Sequence, residues 1–198
     1  DKNERTSTYI ESDLRNKFPL AHSYLLNFKE KLIEKKVKYK TNPELWYSLH
    51  CARKISMFEQ EKIITAQISI GSNMTIDNDK YFTNSQNYIL VKNSNIIESY
   101  KYFLGVLNSR LFWFYLKNTG TVLTNGFFRF KTNYLNTFPL PTIKTNEDSR
   151  TMELLVEQIM DKKKDNIDTQ DLENEIDQLV YQLYDLNEEE IKIIENST

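Results

Sequence analysis

The 198-residue sequence contains little cysteine, glycine, proline or histidine. Its single cysteine, Cys51, excludes an internal disulfide bond and a zinc site built from several cysteines. The four scattered glycines and two histidines form neither a glycine-rich phosphate loop nor a His-Glu-x-x-His zinc helix. No apolar run approaches the ~20 residues that cross a bilayer. We therefore expect a chain without catalytic residues, a metal site or a membrane partner.

The start of the chain and its cysteine content predict a cellular setting. The sequence begins at Asp1 rather than at a methionine, and no basic-then-apolar leader opens it. From these features we expect a fragment of a longer protein that is not secreted. Because so low a cysteine content is typical of a reducing compartment, we expect a cytoplasmic protein.

The net charge of -2 hides a division between two parts of the chain. Residues 1–150 hold 22 Lys and Arg against 14 Asp and Glu, a charge of +8. Residues 151–198 hold 4 Lys against 14 Asp and Glu, a charge of -10. A basic body of this kind indicates an anionic partner, and a Lys-rich surface that contacts only solvent is the alternative.

Composition shifts and hydrophobic spacing predict three regions. These are a polar, loosely ordered lead-in over 1–17, a basic domain over 18–150 and an acidic helical segment over 151–198. Within the basic domain the spacing predicts an amphipathic helix over 19–32 and a helix buried on nearly all sides over 102–116. The predicted strands are 62–70, 74–76, 87–91 and 121–123.

Residues 127–131 alternate between aromatic and basic side chains. In an extended chain Phe128 and Phe130 share one face, whereas Phe127, Arg129 and Lys131 share the other. We therefore predict that Phe128 and Phe130 lie in the core and that the two cations lie outside it. The solvated face of an edge strand is the alternative for the cations.

The acidic segment predicts a helical hairpin and a short final helix. Its first apolar stripe is Met152, Leu155, Val156 and Ile159. The second stripe, at spacings of four and three, predicts one helix over 169–186 and consists of Leu172, Ile176, Leu179, Leu183 and Leu186. Asn187 before three glutamates is typical of a helix N-cap with an acidic first turn. All elements together predict an α+β fold with mixed or antiparallel strands, buried helices and a C-terminal helical hairpin.

Three stretches, in this order, resemble one protein family. The first is Trp46-Tyr47-Ser48-Leu49-His50 with Arg53, Phe58 and Lys62-Ile63-Ile64. The second is Phe103-Leu104-Gly105-Val106-Leu107-Asn108-Ser109 with Phe114-Tyr115, Gly126-Phe127-Phe128-Arg129 and Leu135-Asn136-Thr137-Phe138-Pro139-Leu140-Pro141. The third comprises residues 172–184 and 187–191. Over residues 18–195 the chain resembles the TaqI-like C-terminal specificity domain of type II restriction–modification enzymes and adenine-specific DNA methyltransferases.

The resemblance implies a target-recognition domain that reads double-stranded DNA around the adenine to be methylated. In the family it follows a methyltransferase domain, which binds S-adenosylmethionine through a glycine-rich loop and has an Asn-Pro-Pro-aromatic motif. Neither motif occurs here, since Asn42-Pro43-Glu44-Leu45 lacks the second proline and the aromatic residue. The resemblance thus implies a non-catalytic chain whose parent is a bacterial or archaeal adenine methyltransferase, with or without endonuclease activity.

Side chains that bind phosphates or base edges occur in the loops and turns of the basic domain. The candidate DNA-binding residues are Arg53, Lys54, Asn73, Lys117, Asn118, Thr121, Thr124, Asn125, Arg129 and Lys131. Ordinary turns beside Gly120 and Gly126 are the alternative for the asparagines and threonines. The acidic segment would be repelled by DNA, so we expect it to face away, or to pack on the body or on a partner. An acidic tail that masks the basic face is the alternative.

Two other functions fit the sequence. The Leu-Asn-Ser and Pro-Leu-Pro pieces also occur in type I specificity subunits, so the chain is alternatively half of such a subunit, although no second recognition region is visible. The other alternative is a protein-interaction module whose second apolar stripe docks on a partner helix. Both DNA-binding functions require duplex binding that depends steeply on salt, and the interaction module does not.

Overall fold

The computed structural model describes residues 8–49, 54–143 and 145–197, which fall into an N-terminal unit, 1–59, and a C-terminal unit, 60–198. Helices and two three-stranded antiparallel sheets in the described residues confirm the α+β class. The helices are α1 (Glu11–Lys17), α2 (Pro19–Leu26), α3 (Lys29–Lys38), α4 (Tyr100–Asn108), α5 (Arg110–Thr119), α6 (Thr132–Leu135), α7 (Asn146–Lys164), α8 (Gln170–Leu183) and α9 (Glu188–Ser197). The strands are β1 (Lys62–Ala66), β2 (Ile68–Ser69), β3 (Thr75–Asp77), β4 (Asn87–Leu90), β5 (Thr121–Val122) and β6 (Phe128–Arg129).

Helix α1 lies in the stretch predicted to be loosely ordered, so that prediction is wrong for Glu11–Lys17. The polar, charged residues that led to this prediction favour a helix when they are arranged as they are here. Acidic residues occupy its first turn and basic residues its last turn, which is the favourable orientation for the helix dipole.

The helix predicted over 19–32 is two helices, because the chain leaves helical geometry between Leu26 and Lys29. On α2 the buried residue is His22 rather than the apolar stripe. Its Nε2 lies 3.1 Å from Oε1 of Glu11, and the indole N–H of buried Trp46 donates to Oε2 of Glu11 at 3.4 Å. This polar contact determines which side of α2 faces inward.

In the C-terminal unit the first sheet has the order β3-β1-β4, with β1 antiparallel to both neighbours. Ile63 of β1 lies opposite Ile76 and Leu90, and these three side chains belong to the core, where α4 packs on the sheet. The second sheet has the order β2-β6-β5.

The strand predicted over 62–70 is divided at Gln67 into β1 and β2, which belong to different sheets. The backbone of Gln67 explains the division. Its N–H donates to the carbonyl of Gln86 at 2.8 Å, and its carbonyl accepts from the N–H of Phe130 at 2.9 Å. Gln67 therefore joins the two sheets.

The buried helix predicted over 102–116 is α4 and α5, separated by Ser109 in an extended conformation. The buried Ser109 hydroxyl donates to the carbonyl of Val106 and accepts from the N–H of Phe112, at 2.7 and 3.3 Å. Serine is a strong N-cap residue, so this side chain ends one helix and begins the next.

The predicted C-terminal helical hairpin is confirmed as α7 and α8. Helix α7 approaches α4 closely, because a Cβ atom added to Gly105 would overlap the sulfur of fully buried Met152. Helix α8 ends at Leu183 rather than at 186, and Asp185 follows with a positive φ of 54°. The second apolar stripe was wrongly predicted at Leu179, which is half-buried, whereas Val180, which is not part of that stripe, is fully buried. A helix of 3.6 residues per turn that packs on a globular core favours the 4-4-3 spacing of buried residues seen here.

The predicted cap of the last helix is confirmed. The Asn187 side chain accepts from the N–H groups of Glu189 and Glu190, and the Glu190 carboxylate accepts from the N–H of Asn187. This reciprocal arrangement is a capping box. Among the described helices, none is long and apolar enough to cross a membrane.

Candidate nucleic-acid interface

A β-hairpin at the C-terminal end of α5 brings together most of the candidate DNA-binding residues. Thr121 lies opposite Arg129, and Val122 lies opposite Phe128. At the tip, Asn125 and Gly126 have positive φ values of 61° and 76°. Asparagine and glycine adopt this conformation most readily, so the local sequence favours a tight turn that exposes the tip. We call residues 117–131 the basic hairpin, because it includes the last turn of α5.

The aromatic residues of the basic hairpin anchor it to the core. Phe130 is 2% exposed and Phe128 is half-buried, and both rings meet the Trp113 ring edge-on at centroid distances of 5.9 and 5.4 Å. Arg129 and Lys131 are exposed. The predicted alternation of core and surface residues is confirmed, and a DNA-facing role for the two cations stays a prediction.

The last turn of α5 adds two more candidates to this surface. The Lys117 ammonium lies 5.8 Å from the centroid of the Trp113 ring, a cation–π distance. The exposed Asn118 amide donates to the carbonyl of Phe114 at 2.7 Å. Seven of the ten candidates are therefore within the basic hairpin, with two threonines and two asparagines between the cations: Lys117, Asn118, Thr121, Thr124, Asn125, Arg129 and Lys131.

The sequence on both sides of the basic hairpin contains charges of one sign only. Between Glu98 and Glu147 the sequence contains no Asp or Glu, whereas this stretch includes six Lys and Arg. The three hairpin cations thus have no carboxylate near them in sequence. A surface of this kind attracts polyanions.

The acidic segment packs on the body, as expected, and Asp177 adds a polar anchor to the apolar contacts of α7 and α8. Its carboxylate accepts from the backbone N–H of Arg110 at 2.7 Å, and Nε of Arg110 lies 3.3 Å from Oδ2. Burial raises the pKa of Asp177 to about 6, against the lowering effect of these contacts with Arg110. Arg110 begins α5 and Lys117 lies in its last turn, so this contact and the start of the basic hairpin are at opposite ends of a helix about 15 Å long.

The other three candidates lie elsewhere. Asn73 is exposed in the β2–β3 connection, where its amide donates to the Ser69 hydroxyl at 3.0 Å beside a pocket of about 430 Å³. Lys54 is exposed in the N-terminal unit, directly before a short 3-10 turn (Ile55–Met57). Arg53 lies outside the described residues, as do His50 and Cys51.

Sequence reasoning missed the connection between β3 and β4, which we call the crossover loop (residues 78–86). Because both strands are antiparallel to β1, they are parallel to each other, and the loop must cross the sheet. Asp77 before the loop forms a buried ion pair with Lys62, its direct partner in the register. No local sequence pattern indicates this ion pair, because it forms only when β1 and β3 pair in this register. The signal in the sequence that could have identified this loop is the adjacent aromatic pair Tyr81 and Phe82 within a polar stretch, and both side chains are exposed.

The Asp77 carboxylate also fixes the start of the crossover loop. It accepts from the N–H groups of Asp79 and Tyr81, each at 2.9 Å. Burial raises the pKa of Asp77, but the hydrogen bonds from Lys62 and these two N–H groups outweigh burial and lower it. Asp77 is therefore held as a carboxylate under the loop.

The described residues thus define an α+β domain with a basic hairpin and an acidic helical segment anchored at the other end of α5. The sequence model of the TaqI-like C-terminal specificity domain family matches residues 14–140. The chain belongs to this family, which places it among the specificity domains of restriction–modification enzymes. The match includes the basic hairpin and the crossover loop but ends before α7, so the resemblance noted over 172–191 lies outside it.

Proposed function

We propose that this chain recognises a sequence in double-stranded DNA as the C-terminal specificity domain of an adenine-specific DNA methyltransferase or a combined restriction–modification enzyme. The observation that supports this most is the basic hairpin. It presents three cations on a stretch without carboxylates, within a family of specificity domains.

The side chains of the basic hairpin divide into two roles in this proposal. Lys117, Arg129 and Lys131 neutralise phosphates and release counterions, which supplies affinity for any duplex. The hydroxyl and amide groups of Thr121, Thr124, Asn125 and Asn118 contact base edges, which supplies sequence preference. A two-stranded ribbon fits the major groove, where each base pair has a distinct pattern of donors and acceptors.

We further propose that methyl transfer takes place on a separate domain of the same parent chain. That domain would bind S-adenosylmethionine and extrude the target adenine from the duplex. This chain would hold the duplex in register meanwhile, in the cytoplasm of a bacterium or archaeon. It contributes no catalytic residue to the reaction.

The experiment compares Arg129→Ala and Lys131→Ala with wild-type chain in binding to a labelled duplex of mixed sequence. The matched control is Lys162→Ala, which removes an exposed lysine of α7 in the acidic segment. Each hairpin variant should weaken binding at low salt and reduce the slope of log affinity against log salt by about one unit. The control should change neither. Unchanged affinity and slope in both hairpin variants would mean that these cations only contact solvent.

A further inference from the structure

We infer that the crossover loop is a second DNA-contacting element, in which Tyr81 and Phe82 stack on bases of the duplex that the basic hairpin binds. This inference rests on the proposed function and adds to it a contact that is aromatic rather than cationic. Four observations carry it: the anchoring of the loop, the exposure of the two rings, the junction with the hairpin, and the charge of the two elements.

The crossover loop is anchored from beneath. Side chains alternate across a strand, so Lys62 and Asp77 lie on the face of the sheet opposite to Ile63, which faces α4 and the core. Both charged side chains are nonetheless almost completely buried, at 0% and 2% exposed. Since the Asp77 carboxylate binds the N–H groups of Asp79 and Tyr81, the chain that follows β3 covers this ion pair.

Two large aromatic side chains project from this anchored chain. Tyr81 and Phe82 are each 65% exposed, although the backbone N–H of Tyr81 is fixed to Asp77. Just before them, Lys80 has a positive φ of 61°, which turns the chain. Exposed aromatic rings on an ordered backbone are typical of a binding surface, because little conformational entropy is lost when they make contact.

The crossover loop meets the basic hairpin at Gln67. The carbonyl of Gln86, the last residue of the loop, accepts from the N–H of Gln67 at 2.8 Å. The carbonyl of Gln67 accepts from the N–H of Phe130 at 2.9 Å. The last residue of the loop and the end of the hairpin are therefore separated by a single residue. Tyr81, held at Asp77 opposite Lys62, lies towards the other end of β1, five residues or about 16 Å along the strand from Gln67, a distance that one duplex can span.

The two elements complement each other chemically. Asp79 and Lys80 give the crossover loop no net charge, whereas the basic hairpin has three cations and no carboxylate. Phosphate attraction therefore comes from the hairpin and apolar contact from the loop. Aromatic rings contribute to nucleic-acid binding by stacking on bases or by wedging between base steps, and every base offers a face for this.

The experiment measures binding of Tyr81→Ala and Phe82→Ala to two labelled duplexes that are identical except for one abasic site. Phe82→Leu retains an apolar side chain without a ring, and Ile193→Ala removes an exposed apolar side chain of α9 as the matched control. Each alanine variant should bind about 5-fold to 100-fold more weakly, with an unchanged salt slope, because stacking releases no counterion. The loss should be larger on the abasic duplex, where a ring can occupy the gap, and Phe82→Leu should show an intermediate loss.

Wild-type affinity of both alanine variants on both duplexes would overturn this inference and leave the proposed function standing. An altered sedimentation of the variants, without a change in DNA affinity, would also overturn it, because the loop would then contact protein. A wild-type chain without salt-dependent duplex binding would overturn the proposed function, and with it this inference.

Discussion

The buried ion pair between Lys62 and Asp77 provides a quantitative test of how the crossover loop is held. The perturbation is a double-mutant cycle of Lys62→Met, Asp77→Leu and the double variant. Because the two side chains are 0% and 2% exposed, either single variant leaves an uncompensated charge in the interior. Such a change costs ~3–5 kcal/mol of the free energy of unfolding.

The double variant removes both charges and should cost much less than the two single variants together. It still frees the N–H groups of Asp79 and Tyr81, which water can reach in the loop, at ~1 kcal/mol each. Subtracting ~2 kcal/mol for the double variant from at least ~6 kcal/mol for the two single variants gives a coupling energy between Lys62 and Asp77 of about 4 kcal/mol or more, above the ~0.5–3 kcal/mol that contacting residues usually show.

The assay is urea unfolding monitored by tryptophan fluorescence. The chain has two tryptophans, Trp46 in the N-terminal unit and Trp113 in the C-terminal unit. In a Trp46→Phe background, Trp113 alone reports on the unit that contains the ion pair. Purely additive losses, with a coupling energy near zero, would refute the reasoning, because the two charges would then not share a buried environment.

Three further predictions concern the acidic segment and the expected lack of methyl-transfer activity. Because the pKa of Asp177 is about 6 in the folded chain against 3.8 in the unfolded chain, the stability that Asp177 contributes is present below pH 4 and is lost as the pH rises to 6. The free energy of unfolding of wild type should therefore fall relative to that of Asp177→Asn between pH 4 and 6. Parallel pH profiles of the two chains would contradict this. Ile176→Ala should cost ~2–5 kcal/mol because Ile176 is buried, whereas Leu179→Ala should cost only ~1 kcal/mol because Leu179 is half-buried; equal losses in urea unfolding would contradict the packing. The purified chain should transfer no labelled methyl group from S-adenosylmethionine to DNA above a mock preparation, and incorporation above it would contradict the proposed division of labour.

Local patterns predicted those parts of the fold that depend on neighbouring residues. The alternation at Phe128 to Lys131, the Asn187 cap and the α7–α8 hairpin all follow from side chains within a few positions of each other. They are confirmed because tertiary contacts agree with the local preference. Ser109 provided an equally local signal for a helix break, and the apolar residues on both sides concealed it.

The remaining features depend on contacts between distant residues. Gln67 divides a strand because Gln86 and Phe130 bind its backbone, and no property of glutamine predicts this. Lys62 and Asp77 become partners only when β1 and β3 pair in one register. For this reason the candidate residues of the basic hairpin were identified from the sequence, whereas the crossover loop was not.

The most direct test of the central claim is the salt dependence of duplex binding by the wild-type chain. If Lys117, Arg129 and Lys131 each neutralise one phosphate, the logarithm of the affinity should fall against the logarithm of the salt concentration with a slope of about -2.7. A slope of that size, reduced by about one unit in Arg129→Ala, is the result that DNA recognition through the basic hairpin predicts. Binding that does not vary with salt, or no binding at the lowest salt concentration, would contradict it.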